Sequence, residues 1–193
     1  MSTTISTKST NTPNGEATSN LTPSSPMLKR HEGVWEGYYR YFDSTGNKID
    51  EHKSRLLCRI PEEGQYHQTN FYFWADGKKE VRDFPTRIEG NKIIFYSEID
   101  GWAAPVELDE FKRTMMLRWT RKDEDNLYLY EMIQMSDCGK YRNRVWQWFK
   151  DGKLIQRTLI DEQLVSRQWR KYDDLDSSYD DIANFDSVEN QAA

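Results

Sequence analysis

The residues with the most chemical potential fall in two neighbouring runs. Glu131 lies within LYLYEMIQM, residues 127–135, where every other residue from Leu127 to Ile133 is apolar or Tyr. The run RNRVWQWF, residues 142–149, places Arg142, Arg144, Trp146 and Trp148 on one face of an extended strand, because strand side chains alternate. Two Trp rings seek burial, and Arg144 is drawn inward with them. A buried guanidinium is costly unless it is paired. Glu131 is the candidate partner, with Arg157 nearby if successive strands are neighbours. Such a pair either sets strand register or offers a planar donor fork to a ligand carboxylate or enolate. In apolar surroundings Glu131 is also a candidate acid or base, with Arg144 beside it and a tyrosine assisting.

Other chemistries find little support. The three histidines, His31, His52 and His67, are scattered, and the single Asp50/His52 pair makes no metal site. No G-x-S-x-G, Gly-rich phosphate loop or Cys/His/Asn triad signature occurs. Cys58 and Cys138 stand far apart with no CxxC, so both are read as reduced thiols.

These groups need elements to hold them. Residues 33–162 alternate short aromatic and β-branched runs with turn signals: DSTGNK, PEEG, ADGKK, EGNK, SDCGK and KDGK. Asp-Gly and Gly-Asn between apolar runs mark hairpins, since glycine accepts the positive φ of tight turns. Ten strands are expected at 34–42, 50–60, 65–74, 79–88, 92–99, 102–108, 113–121, 127–135, 141–149 and 153–161. So many sequential hairpins must hide their edges. An all-β, antiparallel up-and-down barrel of about 8–10 strands does this by closing the sheet.

In such a barrel the interior holds side chains or one small ligand. With Trp35 set inward, Gly37, Tyr39 and Tyr41 follow it, while Glu36, Tyr38 and Arg40 face water. His52, Ser54, Leu56 and Cys58 point in, opposite Lys53, Arg55 and Arg59. In the third run Tyr66, Gln68, Asn70, Tyr72 and Trp74 are taken as the inner set. The expected ligand contacts are Tyr39, Tyr41, Gln68, Asn70, Tyr72, Trp146, Trp148 and Arg157.

The chain has 193 residues and a net charge of -5, and 13% of its residues are aromatic. Its pI is about 5.3 and its mean hydropathy -0.94. An acidic chain disfavours phosphate-backbone binding, so no nucleic acid partner is expected, although residues 112–122 are locally basic. No apolar run is long enough for a membrane span. Residues 1–27 are rich in Ser, Thr and Pro and are expected to be a disordered tail. The lack of Arg before Arg30 argues against a transit peptide. Residues 28–172 are expected to hold the barrel, with a short helix formed by the QLVSRQWRKY stretch. Residues 173–193 should form an acidic flexible tail.

Gly33-Val34-Trp35 at the head of the first run resembles the G-x-W signature of lipocalins and related calycins. In those barrels the Trp plugs the closed end, often beneath an arginine from a late strand, for which Arg157 is the candidate. HEGVWEGYYRYFD, YHQTNFYFWADG with EVRDFP, DGWA, LRWTRK, LYLYEMIQMSD and VWQWFKDGKLIQRTLIDE extend the likeness from His31 to Glu162. In order, these motifs resemble an uncharacterised lipocalin-like, single-domain family common in photosynthetic bacteria. The resemblance implies a calycin barrel and no established activity. Phycobiliprotein chromophore lyases of the S and T types share the calycin fold, but no motif here is theirs in particular.

The expected function is cytoplasmic binding of a small hydrophobic or aromatic molecule, such as a pigment, isoprenoid or fatty acid, without a cofactor or metal. The alternative is a cofactor-independent cyclase or isomerase, or a chromophore-lyase-like enzyme, in the same cavity. The sequence carries no sign of oligomeric state.

Overall fold

The computed structural model describes residues 26–173. The Ser/Thr/Pro-rich segment up to residue 25 and the acidic segment from residue 174 lie outside the described residues. A six-residue helix α1, Pro26–His31, leads into ten strands. These are β1 Gly33–Asp43, β2 Lys48–Arg59, β3 Gln65–Phe73, β4 Lys79–Glu89, β5 Lys92–Phe95, β6 Ile99–Pro105, β7 Thr114–Arg121, β8 Leu127–Met135, β9 Tyr141–Lys150 and β10 Lys153–Ser166. Each strand pairs antiparallel with its neighbour in sequence, and β1 pairs with β10, so the sheet closes with no free edge.

The turn chemistry explains the spacing. Between β4 and β5 only Gly90 and Asn91 remain, and Gly90 sits at φ 62°, as a tight hairpin requires. Gly37 serves a different need, because the β10 backbone passes so close that a Cβ there would meet the Asp161 carbonyl oxygen at 1.8 Å. β5 ends at Phe95 and β6 starts at Ile99, so the fifth strand is shorter than its run and the sixth begins earlier.

Both ends of the described chain depart from expectation. Pro26 and Met27, in the stretch read as tail, are part of α1, and Met27 and Leu28 are buried in the core. Gln163–Ser166 continue β10 because Leu164 and Ser166 pair with Trp35 and Val34. After β10, the helical structure among the described residues is one 3-10 turn, Trp169–Tyr172.

That turn folds back onto the outside of the barrel. Trp169 packs with Val34, Leu57 and Phe71, with Tyr172 beside them. Glu36 and Arg55 point outward as expected, yet they are not in water. They form an ion pair buried beside this small outer cluster. The main core fills the inside from Trp35, Leu56 and Tyr66 through Ile93, Met115 and Leu129 to Trp146 and Ile160. Among the described residues no helix is long and apolar enough to cross a membrane.

Candidate functional site

One cavity of about 270 Å³ occupies the middle of the barrel. At the α1 end its lining is fully buried: His31, Tyr66, Glu131, Arg142 and Arg144. At the other end the lining is half-exposed: Tyr41, Asp50, Trp74, Arg82, Trp148 and Gln156. The cavity therefore has a sealed floor and a mouth.

The floor is a neutral cluster of four buried charges. Arg144 Nε donates to Glu131 Oε1 at 2.5 Å, and its Nη1 reaches Tyr39 Oη at 3.0 Å and Glu162 Oε1 at 3.4 Å. Arg142 forms an ion pair with Glu162. Strand register makes this possible, since Glu131 stands opposite Trp146 and Glu162 stands opposite Arg142. Burial by itself would pull the Arg144 guanidinium down. Glu131, and then Tyr39 and Glu162, outweigh it and hold that group well above the ordinary arginine value.

Below this cluster lies the plug. Trp35 is 0% exposed, its Nε1 donates to the His31 carbonyl at 2.9 Å, and the Arg142 guanidinium sits 4.3 Å from its ring centroid. The late-strand arginine over the Trp is thus Arg142, and not Arg157. Arg157 stands opposite Phe42 on the outer face of β10 and is exposed. It neither reaches Trp35 nor lines the cavity. The inner parity of β10 is carried by Thr158, Ile160 and Glu162, which places Arg157 outside.

The other expected residues fall as follows. Tyr41, Gln68, Asn70, Tyr72, Trp146, Trp148, Glu131 and Arg144 line the cavity. Tyr39 lies behind the wall, fully buried, stacked on His52 at 5.3 Å and edge-on to Trp146 at 5.4 Å. The inner side chains of β3 form a chain: Tyr66 Oη donates to Gln68 Oε1 at 2.9 Å, Gln68 Nε2 to Asn70 Oδ1 at 2.8 Å, and Asn70 Nδ2 to Tyr72 Oη at 2.8 Å. Burial pushes the phenols of Tyr39, Tyr41, Tyr66 and Tyr72 up, so they act as O–H groups and not as bases. The opposite wall is hydrocarbon: Phe84, Ile93, Phe95, Met115, Leu117 and Ile133.

Three floor residues, Glu162, Arg142 and His31, were given no site role from the sequence. Glu162 was legible as the next inward position after Thr158 and Ile160. Arg142 shares parity with Arg144, Trp146 and Trp148. His31 had no signal, because its place in the floor depends on α1 closing the barrel end.

Both lining histidines are held neutral. Burial, then Arg142 and Arg144, lower His31 well below the ordinary imidazole value. Burial lowers His52 as well, against a hydrogen bond to Asp50 that raises it. On unfolding, both rings become free to protonate at about pH 6.5. The stability tied to their neutrality is complete above that pH and is lost as pH falls toward the depressed folded-state values. Urea midpoints measured from pH 8 to pH 5 are expected to fall more steeply for the wild type than for His31→Gln. Equal slopes would contradict a buried neutral His31.

Among the described residues no group of three or more His, Cys, Asp or Glu could hold a metal ion.

Residues 25–167 match the N-terminal part of a family described as Domain of unknown function (DUF3598). The chain belongs to this family. A crystal structure of a DUF3598 protein of unknown function from Nostoc punctiforme is similar, with TM-score 0.57 and 15% identity over 72% of this chain. This chain spans 49% of that protein. The crystal structure of Rv2717c from M. tuberculosis is similar over 73% of this chain and 98% of its own length, with TM-score 0.53 and 12% identity. At these identities the likeness is one of fold. No curated protein matches the sequence.

Proposed function

We propose that this DUF3598 barrel binds a small, largely apolar or aromatic molecule in its central cavity. The observation that carries this reading is the cavity itself, about 270 Å³, sealed at the Trp35 end, with aromatic and aliphatic side chains lining much of it and polar or paired charged side chains at its floor, mouth and β3 side. That composition is the usual one for ligand pockets. The volume lies just below the roughly 300–1,000 Å³ of drug-sized sites. It favours a compact one- or two-ring molecule over a long-chain pigment or fatty acid. Cys58 and Cys138 are both unpaired, which accords with a reducing, cytoplasmic setting.

The test uses 1-aminonaphthalene, a neutral two-ring dye whose emission shifts to the blue in apolar sites. Ala103 lines the cavity and is 1% exposed, so Ala103→Phe fills the space a ligand would take. Saturable dye binding to the wild type is expected, weakened at least tenfold in Ala103→Phe while cooperative unfolding is retained. Binding that ignores Ala103→Phe, or no saturable binding, would overturn the reading. Native mass spectrometry of the protein from its own source would identify a copurifying molecule.

A second reading, cofactor-independent catalysis by a cyclase, isomerase or lyase, has one observation in its favour. Glu131 and Arg144 line the cavity floor and are not sealed beneath Trp35. Against it stands the engagement of both groups with each other, which turns Glu131 Oε1 toward Arg144 and away from a substrate.

A further inference from the structure

The polar groups of the cavity are unequal in kind, and that inequality describes an occupant. The floor carries two arginines and two glutamates, all paired, so it has no charge left for an ion. The mouth is no more welcoming to an anion. Arg82 Nε is engaged with Glu80 at 2.5 Å, Arg121 Nε with Asp123 at 2.7 Å, and Asp50 adds a further carboxylate.

Against this neutral background several hydrogen-bonding groups on lining residues remain unused. Trp146 Nε1, His31 Nε2 and His52 Nε2 are buried without a partner among the described residues, on side chains 93–97% buried. Arg142 Nη1 donates toward His31 Nδ1 at 3.4 Å, which puts the ring proton on Nε2 and makes that atom a donor. His52 Nδ1 faces Asp50 Oδ2 at 3.2 Å, so its Nε2 is an acceptor. On β3 the amide nitrogens of Gln68 and Asn70 each use one hydrogen along the chain of bonds and keep a second. The buried lining atoms without a partner are therefore two donors, Trp146 Nε1 and His31 Nε2, and one acceptor, His52 Nε2, with further amide hydrogens on Gln68 and Asn70, across from a hydrocarbon wall. A buried donor without a partner keeps its desolvation cost, so an acceptor-bearing guest gains a hydrogen bond there.

Resting on the small-molecule reading above, we propose that the occupant is an uncharged, flat, carbonyl-bearing molecule of one or two rings. Its carbonyl edge lies on the polar side, toward Asn70 and Trp146, and its hydrocarbon lies against the β4–β7 wall. Carboxylates and ammonium ions of the same shape are rejected, because neither finds a spare counter-charge.

Four matched probes decide the matter: 2-naphthamide, 2-naphthoate, (2-naphthylmethyl)ammonium and 2-methylnaphthalene, titrated calorimetrically against the full chain at pH 7.5. The amide is expected to bind at least tenfold more tightly than either ion and more tightly than the hydrocarbon. Asn70→Leu and Trp146→Phe should each weaken the amide about fivefold or more and leave 2-methylnaphthalene unchanged. Either variant suffices if the other fails to fold. An ion that equals the amide, or an amide no better than the hydrocarbon, overturns the inference while 1-aminonaphthalene still binds. If the dye and all four probes fail to bind, the small-molecule reading falls with it.

Discussion

Glu131→Gln and Arg144→Met are each expected to cost about 3–5 kcal/mol of stability, because each leaves a buried charge without its counterpart. Glu131 is 1% exposed and Arg144 5%, so water cannot replace the lost partner. Glu131→Leu together with Arg144→Met removes both charges and should recover most of the loss. Recovery falls short by about 1 kcal/mol, because Tyr39 Oη loses the Arg144 donor it has at 3.0 Å. Glu162 keeps Arg142, so the rest of the floor stays balanced. Denaturant melts of the four proteins measure the coupling. Additive single effects would mean that the two side chains do not sense each other. The double variant is also expected to keep binding neutral probes, since the pair offers the proposed ligand no charge.

Trp35→Ala is expected to cost about 3–5 kcal/mol, the range for a large buried aromatic cut back to a methyl. The ring fills the closed end between α1 and the floor. Its removal also strands the His31 carbonyl that accepts from Nε1 at 2.9 Å and exposes the face covered by Arg142. Trp35→Phe keeps most of the volume and should lose only about 1 kcal/mol, the worth of the hydrogen bond. Urea unfolding checks both values. A loss below about 1 kcal/mol for Trp35→Ala would be that of a surface residue and would contradict the plug.

Much of the barrel was legible in the sequence. The ten runs correspond in number and order to the ten strands, with the fifth and sixth differing in their bounds, because glycine-bearing turns and alternating side chains are local properties, and closure follows from the need to hide edges. The pairing of Glu131 with Arg144 was legible for a similar reason, as an acid and a base on adjacent hairpin strands, each among groups that seek burial. The inner set of β3 was chosen over Phe71 and Phe73, and here alternation alone was not decisive. Both faces are buried, one by the cavity lining and one by Trp169 folding back outside.

What local pattern could not reach were contacts that depend on chain ends and stagger. Arg157 and Arg142 are both late-strand arginines, and only the register of β9 and β10 decides that Arg142 meets Trp35. α1 is six residues with no period of its own, and it becomes core because the barrel end needs a lid. The sequence by itself determined the strands, their order and the inward aromatic faces, since these follow from alternation and turn geometry. Only the tertiary structure decided that four buried charges cancel and that Trp146 Nε1, His31 Nε2 and His52 Nε2 stay unpartnered beside the cavity above them. Those properties are sums over strands distant in the chain, and no single segment carries them.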